Sequence, residues 1–324
     1  MSMTSRLQTL KGSPVALELW EEGFAFSTKK GAWLASFEDS EPVALNTTRG
    51  DVVYDFSTQA GHPWLYGVGT KQLYRWDRET GELAEKKKNS EGFAAVSLHQ
   101  GGKWLAWSSD ICVSVSKAET FSNFKKKDFS DFSDEAGCAV TWLPGTRTFA
   151  CINAQAVLTY QWDGKSLKRT KKRGLGRGSY WGMFWSLAVS PDGRWLAGLT
   201  DPCGGGDGNR LYLWDLENDR LKKRFDFPEN FDNPFFAGSC SFTASGSHLA
   251  FDYGKGELDW ISFFNTETAR VDTPELAFPD DYGPELKEIA FHSNGRWMVG
   301  LSEADGNSEQ SRILLWDLES GEVL

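Results

Sequence analysis

LYRWDRETGEL at 73–83, TYQWDGKSLKR at 159–169, LYLWDLENDRL at 211–221 and ILLWDLESGEV at 313–323 are one phrase written four times. Each holds an apolar run, a Trp-Asp pair and a polar turn. Repetition on this scale marks one supersecondary unit used many times. The tryptophans stand at 76, 162, 214 and 316, and two of the three intervals are nearly twice the other. Degenerate copies fill the gaps. WLASFEDSEPV, CVSVSKAETF and WISFFNTETARV place Phe37-Glu38, Val115-Ser116 and Phe264-Asn265 where Trp-Asp is expected. Seven copies result, spaced by roughly 40–50 residues, the period of a propeller blade.

Each copy also carries an upstream half. LAVSPDGRWLAGLT (187–200), IAFHSNGRWMVGLS (289–302), VSLHQGGKWLAWSS (96–109), CSFTASGSHLAFDY (240–253), VTWLPGTRTFACIN (140–153) and YDFSTQAGHPWLYGVG (54–69) alternate apolar and polar residues about a turn. That pattern is strand–turn–strand. The Trp-Asp phrase supplies a third strand, and a fourth follows its turn. The predicted fold is all-β: a seven-bladed β-propeller of four-stranded antiparallel blades in a single domain, 1–324. The blades fall near 13–46, 51–86, 93–124, 136–169, 185–225, 238–271 and 287–324. Residues 5–10 are predicted to join the last blade as a clasp strand, sealing the ring and removing an open sheet edge.

With its Trp-Asp ends and SPDGRW turn, the chain resembles the WD40-repeat family of seven-bladed propellers over nearly its whole length. It departs from that family at each blade's first strand, where the usual Gly-His is missing; Gly61-His62 lies in a hairpin turn. The family's His–Ser–Asp–Trp hydrogen-bond tetrad is therefore expected to be absent, leaving apolar packing between sheet faces to hold the blades. A six-bladed TolB-like propeller is the alternative that SPDGRWLA also fits. In style, SPDGRWLA resembles prokaryotic WD40 repeats. The resemblance implies a docking platform rather than a catalyst.

The remaining composition agrees. The net charge is −10 at pH 7, which opposes general binding to nucleic acid or anionic membranes. No apolar run is long enough to span a bilayer, and the first residues lack a secretory core; a cytoplasmic protein with no membrane partner is expected. Cys112, Cys138, Cys151, Cys203 and Cys240 are odd in number and form no C-x-x-C pair, so reduced thiols are expected, with Cys138 and Cys151 facing each other across a hairpin. His62, His99, His248 and His292 have no metal-ligand spacing and are read as structural. No nucleophile elbow or Walker motif is present. GLGRG (174–178) does not join a strand to a helix. The carboxylates Asp201, Asp207, Glu303 and Asp305 sit in loops 201–210 and 302–312, which match no calcium-binding pattern and read as solvated surface. No cofactor, metal or catalytic residue is assigned.

Charge and aromatic content concentrate between repeats. Lys86–Lys88, Lys125–Lys127 and the run Lys168, Arg169, Lys171, Lys172, Arg173 and Arg177 form a basic arc across blades 2–5. Asp226, Glu229, Asp232, Asp272, Glu275, Asp280 and Asp281 form an acidic arc across blades 5–7. Two readings of the lysine runs stand: a partner-facing rim, or protection of edge strands. On the first, Lys171, Lys172, Arg173, Arg177, Tyr180, Trp181, Phe231, Phe235, Asp280, Asp281 and Tyr282 are the candidate binding residues, since interface cores favour aromatics and arginine. The leading expectation is a non-catalytic protein-interaction module or scaffold subunit, binding one or more proteins, an acidic segment among them, within a multi-subunit assembly. The alternatives are nucleic-acid binding through loop 168–185, with Tyr180 and Trp181 stacking on bases, and an enzyme with a site in the central channel.

Overall fold

A computed structural model describes residues 9–37, 41–109, 111–122, 124–129, 138–153, 156–174, 183–201, 210–226, 239–252, 261–271, 286–304, 307–318 and 322–323. Their strands assemble into seven antiparallel sheets, six of them built in chain order and the last also taking in the first strand of the chain. The innermost strands are Pro14–Trp20, Val53–Ser57, Ala95–Leu98, Val140–Trp142, Met183–Val189, Cys240–Phe242 and Leu286–Phe291. Each neighbours the next, and the first neighbours the last, so the sheets close into a seven-bladed ring about a central channel.

The apolar core is divided accordingly. It consists of seven clusters, each made by the facing sides of two adjacent blades. Blade 1 meets blade 2 through Ala25, Leu34, Phe56, Leu65 and Trp76, and blade 7 meets blade 1 through Val299, Leu301, Phe24 and Phe26. A sheet buried on both faces needs apolar residues on both, which explains the near-continuous burial along second and third strands such as Gly23–Thr28 and Cys112–Lys117.

The Trp-Asp tryptophans have a defined seat. Trp76, Trp214 and Trp316 occupy the same register, opposite Leu65, Leu196 and Met298. Gly67, Gly198 and Gly300 lie diagonally across, on the second strand. A Cβ at Gly67 would stand 2.7 Å from the Trp76 ring, and one at Gly198 would stand 3.2 Å from that of Trp214 and 2.8 Å from Phe184. The glycine makes room for the indole. Blade 3 reverses the arrangement: Trp107 takes the glycine position and Ser116 the tryptophan position, with the indole Nε1 donating to Ser116 Oγ at 2.8 Å. The same space is filled from the opposite strand.

That exchange corrects the register of three repeats. Backbone pairing puts Ala35-Ser36 at the Trp-Asp position of blade 1, Ser116-Lys117 in blade 3 and Tyr160-Gln161 in blade 4. The sequence reading had Phe37-Glu38, Val115-Ser116 and Trp162-Asp163 there. In blade 4 the third strand runs one residue further, to Trp162, which pairs Leu167, and Asp163 N closes a tighter turn on the Ser166 carbonyl. Asp163 still caps that turn, accepting from Lys165 and Ser166 at 2.7 Å, as Asp77 accepts from Thr80 at 2.8 Å and Glu79 at 3.0 Å. The local turn chemistry was matched while the position in the ring shifted.

Closure is antiparallel pairing of Thr9–Lys11 with Arg312, Ser311 and Gln310. The same long strand, Asn307–Asp317, pairs Glu322–Val323 through Asp317 and Trp316. The fourth-strand slot of blade 7 is therefore shared by two segments. Residues 5–8 of the expected clasp lie outside the described residues.

Replacing Trp76 by Ala removes a fully buried indole from the blade 1–2 cluster. The expected loss is about 3–5 kcal/mol of unfolding free energy, read by urea denaturation. Trp185→Ala, at a half-exposed side chain, should change it by less than about 0.5 kcal/mol.

Candidate functional site: the central channel and its mouth

The innermost strands are joined by more than apolar packing. Side chains on one blade accept backbone N–H groups of the next, in two layers. In the first layer, Glu18 Oε1 accepts from Thr58 N at 3.0 Å, Ser57 Oγ from Leu98 N at 2.9 Å and Ser97 Oγ from Trp142 N at 3.2 Å. In the second, Asp55 Oδ2 accepts from Val96 N at 2.8 Å, Ser186 Oγ from Cys240 N at 3.0 Å and Ser239 Oγ from Ile289 N at 2.7 Å. These N–H groups belong to edge strands with no sheet partner on the channel side, so an acceptor from the neighbouring blade satisfies them.

Three of the channel side chains are carboxylates on consecutive blades: Glu288 on blade 7, Glu18 on blade 1 and Asp55 on blade 2. Each keeps partial exposure towards the channel while protein surrounds it. Burial pushes Glu18 from its ordinary 4.5 up to about 8, against the bond from Thr58, and the neighbouring Asp55 charge adds to the rise. Burial likewise raises Glu288 to about 8, with Ser239 opposing and Asp55 adding. Asp55 rises from 3.8 to about 7, opposed by N–H bonds from Val96 and Phe56. Like charges crowded in a partly desolvated space favour protonation. No group of three or more His, Cys, Asp or Glu among the described residues is placed to hold a metal ion.

Four of the innermost strands bulge just before the second acceptor layer. The register shifts between Pro14 and Ala16, Val53 and Asp55, Phe184 and Ser186, and Leu286 and Glu288. A bulge leaves one residue unpaired and re-aims its side chain; here the unpaired residues include Tyr54 and Trp185. They are 43% and 49% exposed, in a molecule whose described aromatics are otherwise buried or half-buried. Both stand where an innermost strand begins, the end of the channel at which the chain arrives from the preceding blade. Blades 2 and 5 put them on opposite sides of that mouth.

The sequence-derived candidates fare unevenly. Arg177, Tyr180, Trp181, Phe231, Phe235, Asp280, Asp281 and Tyr282 lie outside the described residues, as do most of loop 201–210 and the Asp305 turn. Lys171, Lys172 and Arg173 do not lie in a rim loop, nor do Lys86–Lys88 and Lys125–Lys127. They form fourth strands, Leu167–Gly174, Leu83–Lys88 and Lys125–Asp128, on the outer circumference. Arg173 pairs with Asp219 of blade 5 at 3.0 Å, and Lys171 pairs with the same carboxylate. These residues bridge blades 4 and 5.

The histidines serve turns. His292 Nε2 meets the Glu21 carbonyl at 2.9 Å, joining blade 7 to blade 1, and His99 Nε2 meets the Thr146 carbonyl at 3.0 Å, joining blade 3 to blade 4. Cys112, Cys138, Cys151 and Cys240 are free thiols; Cys151 pairs Val140 rather than Cys138, and burial raises the Cys240 thiol to about 11.

Sequence reading missed the channel carboxylates and the mouth aromatics. A signal existed. VALELW (15–20), VVYDFS (52–57) and LKEIAF (286–291) each set one acid inside an innermost apolar strand.

No protein-family model matches the chain, and no curated protein matches it. Among solved structures the chain is similar to U3-55K, with a TM-score of 0.73 and 13% identity over 96% of this chain and 98% of that one. At that identity the likeness is one of fold, and it is a likeness of the whole ring.

The carboxylates generate a pH dependence of definite sign. Their folded-state pKa values lie above the unfolded ones, so between about pH 4.5 and 8 the folded protein binds more protons than the unfolded chain, and stability falls as pH rises through that window. The triple variant Glu18→Gln, Asp55→Asn, Glu288→Gln keeps an acceptor oxygen at each site. Its melting temperature, minus that of the unsubstituted protein, should be smallest near pH 4.5 and grow steadily to pH 8. Parallel profiles would sink the assignment.

Proposed function

We propose that this chain is a WD40-like, non-catalytic interaction module that docks a protein partner across the mouth of its central channel. The observation that carries the reading is the pair of exposed aromatics, Tyr54 and Trp185, set by bulges at that mouth. Interfaces draw their binding energy from a few such anchors, and rigid strands present them at little entropic cost.

The non-catalytic assignment rests on how the channel groups are used. Glu18, Asp55, Ser57, Ser97, Ser186 and Ser239 are engaged in blade-to-blade hydrogen bonds. No described helix is long and apolar enough to cross a membrane, and buried free thiols suit a reducing compartment. We assign the protein to the cytoplasm, as a subunit of a multi-protein assembly.

A tagged copy expressed in its native host, purified with nuclease treatment, should retain a stoichiometric protein partner. Tyr54→Ala with Trp185→Ala should weaken that complex by tenfold or more while leaving the melting temperature within about 2 °C. Full retention of the partner by the double variant would refute the mouth as the docking site.

A further inference from the structure

Among the described residues the outer circumference of blades 2–5 is strongly charged, and it lies away from the mouth. The fourth strands of blades 2, 3, 4 and 5 are Leu83–Lys88, Lys125–Asp128, Leu167–Gly174 and Arg220–Asp226. Together they hold fifteen lysines and arginines against three carboxylates, Glu85, Asp128 and Asp226, which is twelve net positive charges in a chain whose total is −10. Counting the neighbouring acids Glu91 and Asp219, which pair with Lys126, Lys171 and Arg173, ten remain. The rest of the chain is correspondingly acidic.

The four strands make one belt. Lys87 Nζ reaches from blade 2 to the Phe121 carbonyl of blade 3 at 2.7 Å. The fourth strands of blades 3 and 4 touch, and Asp219 ties blade 4 to blade 5. Edge protection alone does not account for it. The fourth strands of blades 1 and 6, Val43–Ala44 and Arg270–Val271, carry one basic residue between them.

We propose that this belt binds the phosphate backbone of a nucleic acid, without reading sequence. Its residue types select that partner over an acidic protein. Protein interfaces are depleted in lysine and enriched in aromatics, whereas the belt is lysine-rich and its one exposed large apolar residue among those described is Leu221. Lysine and arginine without stacking aromatics suit phosphate contact, not base recognition. The acidic remainder of the molecule does not cancel this attraction, since charges separated by more than about 8–10 Å are screened at physiological salt.

The test uses the intact chain with a fluorescein-labelled 20-nucleotide RNA strand and a 20-base-pair RNA duplex, both of mixed sequence, by anisotropy from 50 to 200 mM salt. Binding to at least one in the micromolar range at 50 mM salt is expected, weakening steeply with salt. Lys125→Gln, Lys127→Gln, Lys168→Gln and Lys172→Gln together should lower affinity at least tenfold and reduce the salt slope by about 3, four contacts at roughly 0.7–0.9 each. Should that variant melt early, Lys86→Gln with Lys88→Gln, and separately Arg220→Gln with Lys223→Gln, carry the test with about half the slope change. Tyr54→Ala with Trp185→Ala must leave RNA binding unchanged, so the belt and the mouth stand or fall separately. No binding to either RNA, an unchanged slope in the belt variants, or equal binding of poly-glutamate overturns the proposal.

Discussion

Every blade is an antiparallel sheet with apolar residues on both faces, and a single such sheet has no way to cover itself. This constraint organises the molecule. The core is seven interfaces, each shared by two blades, so removing one blade exposes two faces. Ring closure is the condition for covering every blade on both faces, since until blade 7 meets blade 1 each of those two keeps one face open. Within each interface the filling is negotiated locally. Blades 2, 5 and 7 set tryptophan against glycine, and blade 3 sets Trp107 against Ser116 to occupy the same volume. Interiors tolerate such exchanges when total volume is conserved.

The innermost strands pose a second problem, since their channel-side backbone groups have no strand to pair with. The solution is a set of side-chain acceptors: blades 1, 2, 3, 5 and 6 each satisfy a backbone group of the next. Serine does this at little cost. Glu18 and Asp55 do it as well, but they bring charge into a partly desolvated space; burial raises both, and Glu288 beside them, with the Asp55 charge adding to the rise at Glu18 and Glu288. The molecule keeps titrating acceptors at blades 1 and 2, with Glu288 of blade 7 beside them, where serine alone performs the same bonding in blades 3, 5 and 6.

Repeat spacing, turn residues and strand alternation made the blade number, the strand count and the closing strand legible before any coordinates. The register of blades 1, 3 and 4 was not, although Phe264-Asn265 of blade 6 was read in place; Ser116 makes sense at a tryptophan position only when Trp107 is known to fill the space from the adjacent strand. The channel acids were hidden for a related reason. An acid in an alternating strand reads as solvent-facing, and whether its face meets solvent or a neighbouring blade is decided by the closed ring. The lysine runs read both as rim loops and as guarded edge strands, because a fourth strand that is polar on both faces shows no alternation to decide between them; the structure makes them edge strands. Trp185 belonged to a segment flagged for its aromatics, but its exposure comes from a bulge that no local pattern announces.

Residues 9–11 find their partners at 310–312, almost the full length of the chain away. A ribosome making this protein releases the first segment long before the strand it must join exists. Blades 1 to 6 can form their mutual contacts in order as they emerge, whereas the seam of the ring waits for the last repeat. Until then one apolar face of blade 1 and one of the newest blade remain uncovered, each a ready surface for a second nascent chain. The joining step has a high loop-closure cost and grants all its stabilisation at once. Synthesis thus passes through a long open-ring stage, during which the protein's resistance to aggregation depends on timing rather than on its final stability.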